Sequence, residues 1–388
     1  MRILHVNRFL YHQWDAESYL LALADLQRGR GERVAFFAAR HPDNIAVPYE
    51  EHFPKYIPTD PLPRGPVGRL RGTGRMLWSS SARRGIGKVI EDFRPDVAHV
   101  HAIYHQLSPS VLSALRAARV PTVMTVHDYR PACLQEPGRR NGMPDAGLAV
   151  SLETWLHRRL RAYEPVRRFI CPSRFLAERL TRAGAQPGRV RVLDHFADGA
   201  GPPPKTEAGG PLVCVGRLGP EKGFDVAITA MGMLRGIGEL VIVGDGPARS
   251  ALERMADEVA PGRVRVAGRL PQPEMSELIR SATALVVPSR SPENQPLAIL
   301  RAFACGVPVI GTALGGVPEL IVDGATGRLI PPDDPLLLSS AMLALLQNPR
   351  EALAMGLACR EVARRRFSAE GHLTALREVY SEAIKEGG

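Results

Sequence analysis

The sequence predicts two consecutive α/β domains, each a doubly wound parallel sheet with helices on both faces. Three observations lead there. The chain has 388 residues, more than the ~250–300 at which a single core stops growing. Short runs dense in β-branched residues alternate with segments of helical period, the pattern of βαβ units. The alternation breaks once, at "GAGPPPKTEAGGP" (199–211), which is rich in Pro and Gly and has no period, and then it restarts.

In the first half, "RILHVN" reads as a buried opening strand and "AESYLLALADLQRGRG" as a helix with a Gly-rich stop. "RVAFFAAR", "DVAHVHA", "PTVMTVHD" and "RRFICPS" follow as strands. Between them fall the helical patterns "SPSVLSALRAARV" and "SRFLAERLTRAG", the latter opened by the N-cap candidate Ser173. In the second half "PLVCVGRL", "ELVIVGDG", "VRVAGRL", "ALVVPS" and "PVIGT" read as parallel strands buried on both faces. The predicted division is 1–200, a linker over 201–210, and 211–367, with 368–388 left as a terminal helix. Such sheets bind ligands at the carboxyl ends of their strands, so the site is expected in a cleft where the two domains face each other.

Composition narrows the class. A hydrophobic content of 45% with 23% charged residues is that of an ordinary soluble protein. No apolar run reaches the ~18–20 residues of a spanning helix, and "MRILHVNRFLYHQWD" turns polar too soon for a secretory signal. The five cysteines are scattered without a C-x-x-C pair, which fits buried thiols in a reducing compartment. A cytoplasmic location is therefore expected. Residues 1–200 hold 30 Lys and Arg against 19 Asp and Glu, whereas 201–388 hold 20 against 21. One basic domain beside a neutral one suggests an anionic partner for the first.

Three strand exits in the second half carry chemistry. In "VGRLGPEKGFD", Gly216 ends a strand and Arg217 and Lys222 follow in a Gly-bearing loop, a set suited to a diphosphate or simply to a solvated turn. "VGDGP" lets backbone approach closely, or is only a tight turn. In "VPSRSPENQPLAI", Pro296 suits a first helical turn and sets Glu293, Asn294 and Gln295 at a helix N-terminus.

In order and spacing, "VGRLGPEKG", "IVGDGP", "VAGRL", "PSRSPENQPLAILRAFACGVPVIGTALGGVPELI" and "DGATGRLIPPDD" resemble the donor domain of family-4 retaining glycosyltransferases of the GT-B fold. "PDVAHVHA", "TVHDYRPAC" and "CPSRFLAERL" resemble that family more loosely, and "VLDHFAD" resembles its interdomain junction. The closing "RRRFSAEGHLTALREVYSEAIKE" resembles the helix that crosses back to the first domain. The resemblance implies that Arg217 and Lys222 hold a nucleotide diphosphate near Gly216. It implies that Glu293 bonds donor-sugar hydroxyls, with Asn294 beside it and backbone around Gln295, Pro296 and Leu297 supporting sugar and phosphate. Backbone at Arg269 and Leu270 would meet the base, and His127 would reach the sugar near the bond being broken. Without the resemblance, His127 reads as a strand-end histidine satisfied by its neighbours. His99 and His101 share one strand face, but the sequence shows no third ligand and no D-x-D, so no metal and no cofactor are expected.

Two departures stand out. The family places a second carboxylate eight residues after the first, to accept from the nucleotide ribose; here that position is Arg301, which has no acceptor. Arg301 contacts a phosphate, turns aside into a structural pair, or marks a crippled site, and the sequence leaves all three open. In the first loop, "WDAE" (Trp14 to Glu17) replaces the family's Gly-Gly-small-Glu stretch. Arg8, Tyr11 and His12 nearby are acceptor-contact candidates or plain surface. The stretch 63–88 carries seven cations with Leu70, Met76, Leu77 and Trp78 interleaved. It reads as a contact for an anionic membrane surface or as a solvated loop. No nucleic-acid-binding motif is present. The sequence thus points to transfer of a sugar from a nucleotide-sugar donor to a carbohydrate or lipid-linked acceptor, in polysaccharide or glycoconjugate assembly. The alternatives are a non-catalytic nucleotide-sugar-binding scaffold and an epimerase or phosphorylase. Only five lysines exist, and none suits a pyridoxal phosphate site.

Overall fold

The computed structural model describes residues 1–12, 15–57, 74–75, 77–128, 156–157, 159–197 and 209–386. The chain forms two compact units, Met1–Leu193 with His372–Gly388, and Asp194–Gly371.

The first unit holds six parallel strands, β1 (Arg2–Val6), β2 (Arg33–Phe37), β3 (Val97–Val100), β4 (Thr122–Thr125), β5 (Arg168–Cys171) and β6 (Val190–Val192), in the order β2-β1-β3-β4-β5-β6. Every residue of β3, β4 and β5 is buried, because helices cover both faces of the sheet. Those helices are α1 (Asp15–Gly29), α2 (Ser80–Phe93), α3 (Ser110–Ala117) and α4 (Arg174–Arg182). The Ser173 hydroxyl caps α4 by accepting from Leu176 N at 3.2 Å, as the sequence suggested.

The second unit repeats the plan with β7 (Leu212–Val215), β8 (Leu240–Val243), β9 (Val264–Gly268), β10 (Ala284–Val287), β11 (Val309–Thr312) and β12 (Gly327–Ile330). Their order is β12-β11-β10-β7-β8-β9, and all pairs are parallel. Its helices are α5 (Phe224–Met233), α6 (Arg249–Val259), α7 (Gln272–Ser281), α8 (Leu297–Cys305), α9 (Pro335–Gln347) and α10 (Pro349–Arg366). The order reverses between β7 and β10, and in open sheets of this kind the exits of the strands at such a reversal are where ligands bind.

The last helix, α11 (Ala369–Lys385), belongs almost wholly to the first unit. Tyr380 is fully buried there, and Arg168 of β5 donates to Glu382 at 2.8 Å and to Glu386 at 2.7 Å. The sequence reading did not include β6 and β12. Both are short edge strands, and only their pairing to a neighbour defines them. The division falls at Leu193/Asp194 rather than at 200, because Asp194 accepts from Arg366 and Ala197 N donates to Phe367 O. Most of the expected linker, 201–208, lies outside the described residues, as do Trp14 and, of the basic stretch, 63–73 and Met76. No helix among the described residues is long and apolar enough to cross a membrane. Cys171, Cys214, Cys305 and Cys359 are buried thiols, and burial pushes Cys305 up to about 11.

Candidate active site

The reversal of strand order in the second unit places Lys222, just after β7, beside Glu293, just after β10. The Lys222 ammonium donates to Glu293 Oε1 at 2.6 Å, and the Ser289 hydroxyl donates to the same oxygen at 2.6 Å. The two residues are 71 positions apart in sequence, so the crossover topology alone makes them neighbours. Glu293 is largely covered and Lys222 about three-quarters so.

Two glycines fix this corner. Gly223 opens α5 at φ +65°, and a Cβ there would stand 2.0 Å from Pro288 O. Gly315 has φ +64°, and its Cβ would stand 2.2 Å from Glu293 O. The close approach lets Gly316 N donate to Glu293 O at 2.7 Å, bracing the carboxylate-bearing loop. Arg290 adds a clamp, donating to both Asp225 oxygens at 2.6 and 2.7 Å and to Asp333. The Asp225 bonds raise the Arg290 pKa above its ordinary value, so the clamp stays charged at any working pH.

The other expected donor residues divide. Gly216 stands at the β7 exit with its N bonded to Val243 O, and Arg217, two-fifths exposed, pairs with Glu221 across one turn. Arg269 is exposed and Leu270 half-buried immediately after β9. Asn294 and Gln295 are buried. Gln295 Nε2 donates to Asp194 at 2.5 Å and its Oε1 accepts from His195 N at 2.6 Å, so its amide side chain holds the segment entering the unit. A ligand contact from Gln295 would come from its backbone. Pro296 is corrected by one position: it is the N-cap of α8, and the first turn starts at Leu297. Arg301 lies in the middle of α8, and the Gln272 amide at the start of α7, with its oxygen turned toward the guanidinium, accepts from Arg301 Nε and Nη2, both at 3.2 Å. The guanidinium thus turns toward the Gln272 amide.

His127 belongs to the first unit and follows β4. Its Nε2 is 3.0 Å from His101 Nδ1, and His101 Nε2 is 3.1 Å from His5 Nδ1. The ring stacks on His101 and meets the edge of Tyr19. Although His127 as a residue is half-exposed, this packing desolvates its ring nitrogens. With Arg8 adding repulsion, its pKa falls to about 3. Burial likewise lowers His5 to about 4. Both rings are neutral at pH 7.

His5 is also the third imidazole that the sequence reading did not find beside His99 and His101. The β1–β3 register sets His5 opposite His99, and ligand atoms of the three lie within 4.8 Å of one another. Each ring nitrogen of the three already has a partner: His5 with His101 and Gln27, His99 with Tyr380 and Thr125, His101 with His5 and His127. A metal would have to break these bonds. Of the acceptor candidates, Arg8 donates to buried Glu17 at 3.0 Å, Tyr11 stacks on His41, and exposed His12 lies 3.4 Å from Ser18.

The descriptions "Glycosyltransferase Family 4" and "Glycosyl transferases group 1" match residues 16–198 and 210–348. A glycogen synthase from Mycobacterium tuberculosis is 30% identical over 310 residues, covering 75% of this chain and 70% of that protein. The chain belongs to the family-4 glycosyltransferases. A GDP-mannose-dependent α-(1-6)-phosphatidylinositol monomannoside mannosyltransferase from Mycolicibacterium smegmatis is 36% identical over 159 residues. That match covers 38% of this glycosyltransferase and 42% of the relative. Sucrose-phosphate synthase from Thermosynechococcus elongatus shares its GT-B fold along the full length of both chains, at TM-score 0.76 and 20% identity.

Proposed function

We propose that the protein transfers a sugar from a nucleoside diphosphate to an acceptor hydroxyl with retention of anomeric configuration. The observation that carries this reading is the Lys222–Glu293 pair at the point where strand order reverses. A cation and a carboxylate held there suit the two ends of a nucleotide sugar. Lys222, with Arg217, would neutralise the diphosphate and the negative charge that grows on it as it leaves. Glu293 would accept from sugar hydroxyls, oriented by Ser289 and the braced loop. Neutral His127 would bond the sugar near its anomeric carbon, and backbone at Arg269 and Leu270 would border the base. The two cations supply the charge neutralisation, so the reading calls for no metal or cofactor. Retention rests on the family resemblance.

The mannosyltransferase relative is named for GDP-mannose and a phosphatidylinositol mannoside, which favours a nucleotide-sugar donor and a lipid-linked or carbohydrate acceptor. A cytoplasmic protein working at an anionic membrane face fits the basic first domain. Trp78 is 46% exposed, and Arg83, Arg84 and Lys88 are exposed on α2. Arg75 is otherwise engaged, donating to Gln106 O at 2.8 Å and to Ser81 Oγ at 2.7 Å. Replacing Arg83, Arg84 and Lys88 by Gln should weaken sedimentation with anionic vesicles; unchanged sedimentation would remove the membrane from the reading.

Arg301 favours a second reading, a nucleotide-sugar-binding scaffold, because it withholds an acceptor from the ribose. Incubation with UDP-, GDP- and TDP-sugars and acceptor glycolipids separates the two. Transfer or donor hydrolysis is expected; binding without either would leave the scaffold, and no binding at all would sink the donor assignment.

A further inference from the structure

The histidines of the first unit form a hydrogen-bond chain with a direction. It starts at Gln27, buried on α1. The Gln27 Oε1 lies 2.7 Å from His5 Nε2, and its Nε2 donates to Tyr380 Oη at 3.1 Å. A carbonyl oxygen only accepts, so His5 must carry its proton on Nε2. A neutral imidazole has one donor and one acceptor, so His5 Nδ1 accepts and His101 donates from Nε2 across 3.1 Å. His101 Nδ1 then accepts, and His127 donates from Nε2 across 3.0 Å. The second arm has the same logic. Tyr380, already an acceptor from Gln27, donates to His99 Nδ1 at 2.7 Å, and His99 Nε2 donates to Thr125 Oγ1 at 2.7 Å. Turning the one amide over would reverse both arms and move the His127 proton to Nδ1.

We infer that Gln27 is a positioning residue which, through His5 and His101, fixes His127 as the Nε2–H tautomer with Nδ1 as its hydrogen-bond acceptor. This rests on the reading of His127 as a donor-sugar contact and sharpens it. His127 then accepts from a hydroxyl of the sugar through Nδ1, and a donor lacking that hydroxyl loses the contact. Three observations hold the chain in one state. Its members other than His127 are buried, a reversal must invert several bonds together, and His127 is sandwiched between the His101 ring and the Tyr19 edge.

The test is ring 15N spectroscopy of the full chain labelled at histidine, at pH 7 and without ligand, with His127 assigned by loss of its signals in His127→Gln. A protonated Nε2 and an unprotonated Nδ1 are expected at His5, His101 and His127. Gln27→Met removes the acceptor and should bring a mixture of tautomers at all three rings. Should that variant not fold, Tyr380→Phe removes the hydroxyl that holds the amide and should bring the second tautomer in. A His127 protonated on Nδ1, a mixture in the unaltered protein, or an unchanged pattern in a folded variant overturns the inference. The spectrum needs no donor and no turnover, so its failure is separate from any failure of the glycosyltransferase reading.

Discussion

Exchange of Arg301 for glutamate restores the carboxylate that the family resemblance places against the ribose, and its cost can be worked from the contacts. The guanidinium loses two bonds to the Gln272 oxygen, both at 3.2 Å, the long end of the normal range. A net hydrogen bond contributes about 0.5–1.5 kcal/mol, and this pair shares one acceptor on a half-exposed helix face, so the loss is about 1 kcal/mol. The incoming carboxylate gains up to two bonds from ribose hydroxyls, each about 1.5–3 kcal/mol when one partner is charged. Even one such bond is about a tenfold gain in affinity. Arg301→Glu should therefore lower the urea midpoint slightly while tightening UDP or GDP binding tenfold or more by titration calorimetry. Equal or weaker nucleotide binding by a folded Arg301→Glu protein would refute the placement of position 301 against the ribose. A stability loss above ~3 kcal/mol would show that the Gln272 contact is structural.

Lys222→Met should reduce transfer about 100-fold or more in initial-rate assays, since it removes one of two charges on the leaving group; a rate within threefold of the original would exclude that role. Gly315→Ala combines a left-handed backbone with a Cβ 2.2 Å from Glu293 O. It should destabilise the second unit by about 2–4 kcal/mol in urea unfolding and abolish donor binding. Acid should weaken the first unit early. Fully buried His5, with its pKa lowered to about 4, stays neutral when folded and takes up a proton when unfolded once the pH drops below about 6.5. Stability then falls as pH drops from about 6.5 to 4, by up to about 1.4 kcal/mol per unit for this group. A urea midpoint unmoved between pH 7 and 5 would contradict the neutral ring. His127 has its pKa lowered to about 3 by burial, so the transfer rate should show no inflection near pH 6.5.

Much of the architecture was legible because it is local. β-branched runs such as "LVIV" and "ALVV" bury on both faces wherever they are placed, and each is a central strand here. The exits bearing Lys222 and Glu293 were legible for the same reason, since each is a loop next to its own strand. Edge strands such as β6, half-exposed over three residues, carry too little apolar pattern to announce themselves. The role of Gln295 was not legible either. Its side chain bonds Asp194 and His195, about a hundred positions away, and nothing in "ENQP" specifies that distance.

The sequence by itself therefore determined the two-sheet class and the residues at its strand exits, through burial periodicity and backbone preference that act over a few neighbours. Tertiary structure decided which of those residues meet. The β1–β3 register brings His5 level with His99 and within reach of His101, the crossover between β7 and β10 joins Lys222 to Glu293, and the start of α7 gives Arg301 its Gln272 partner. Such pairings are set by strand order and register, where a shift of one residue turns every side chain to the other face. That is why the chemistry of Arg301 and the tautomer of His127 are properties of the fold rather than of any stretch of sequence.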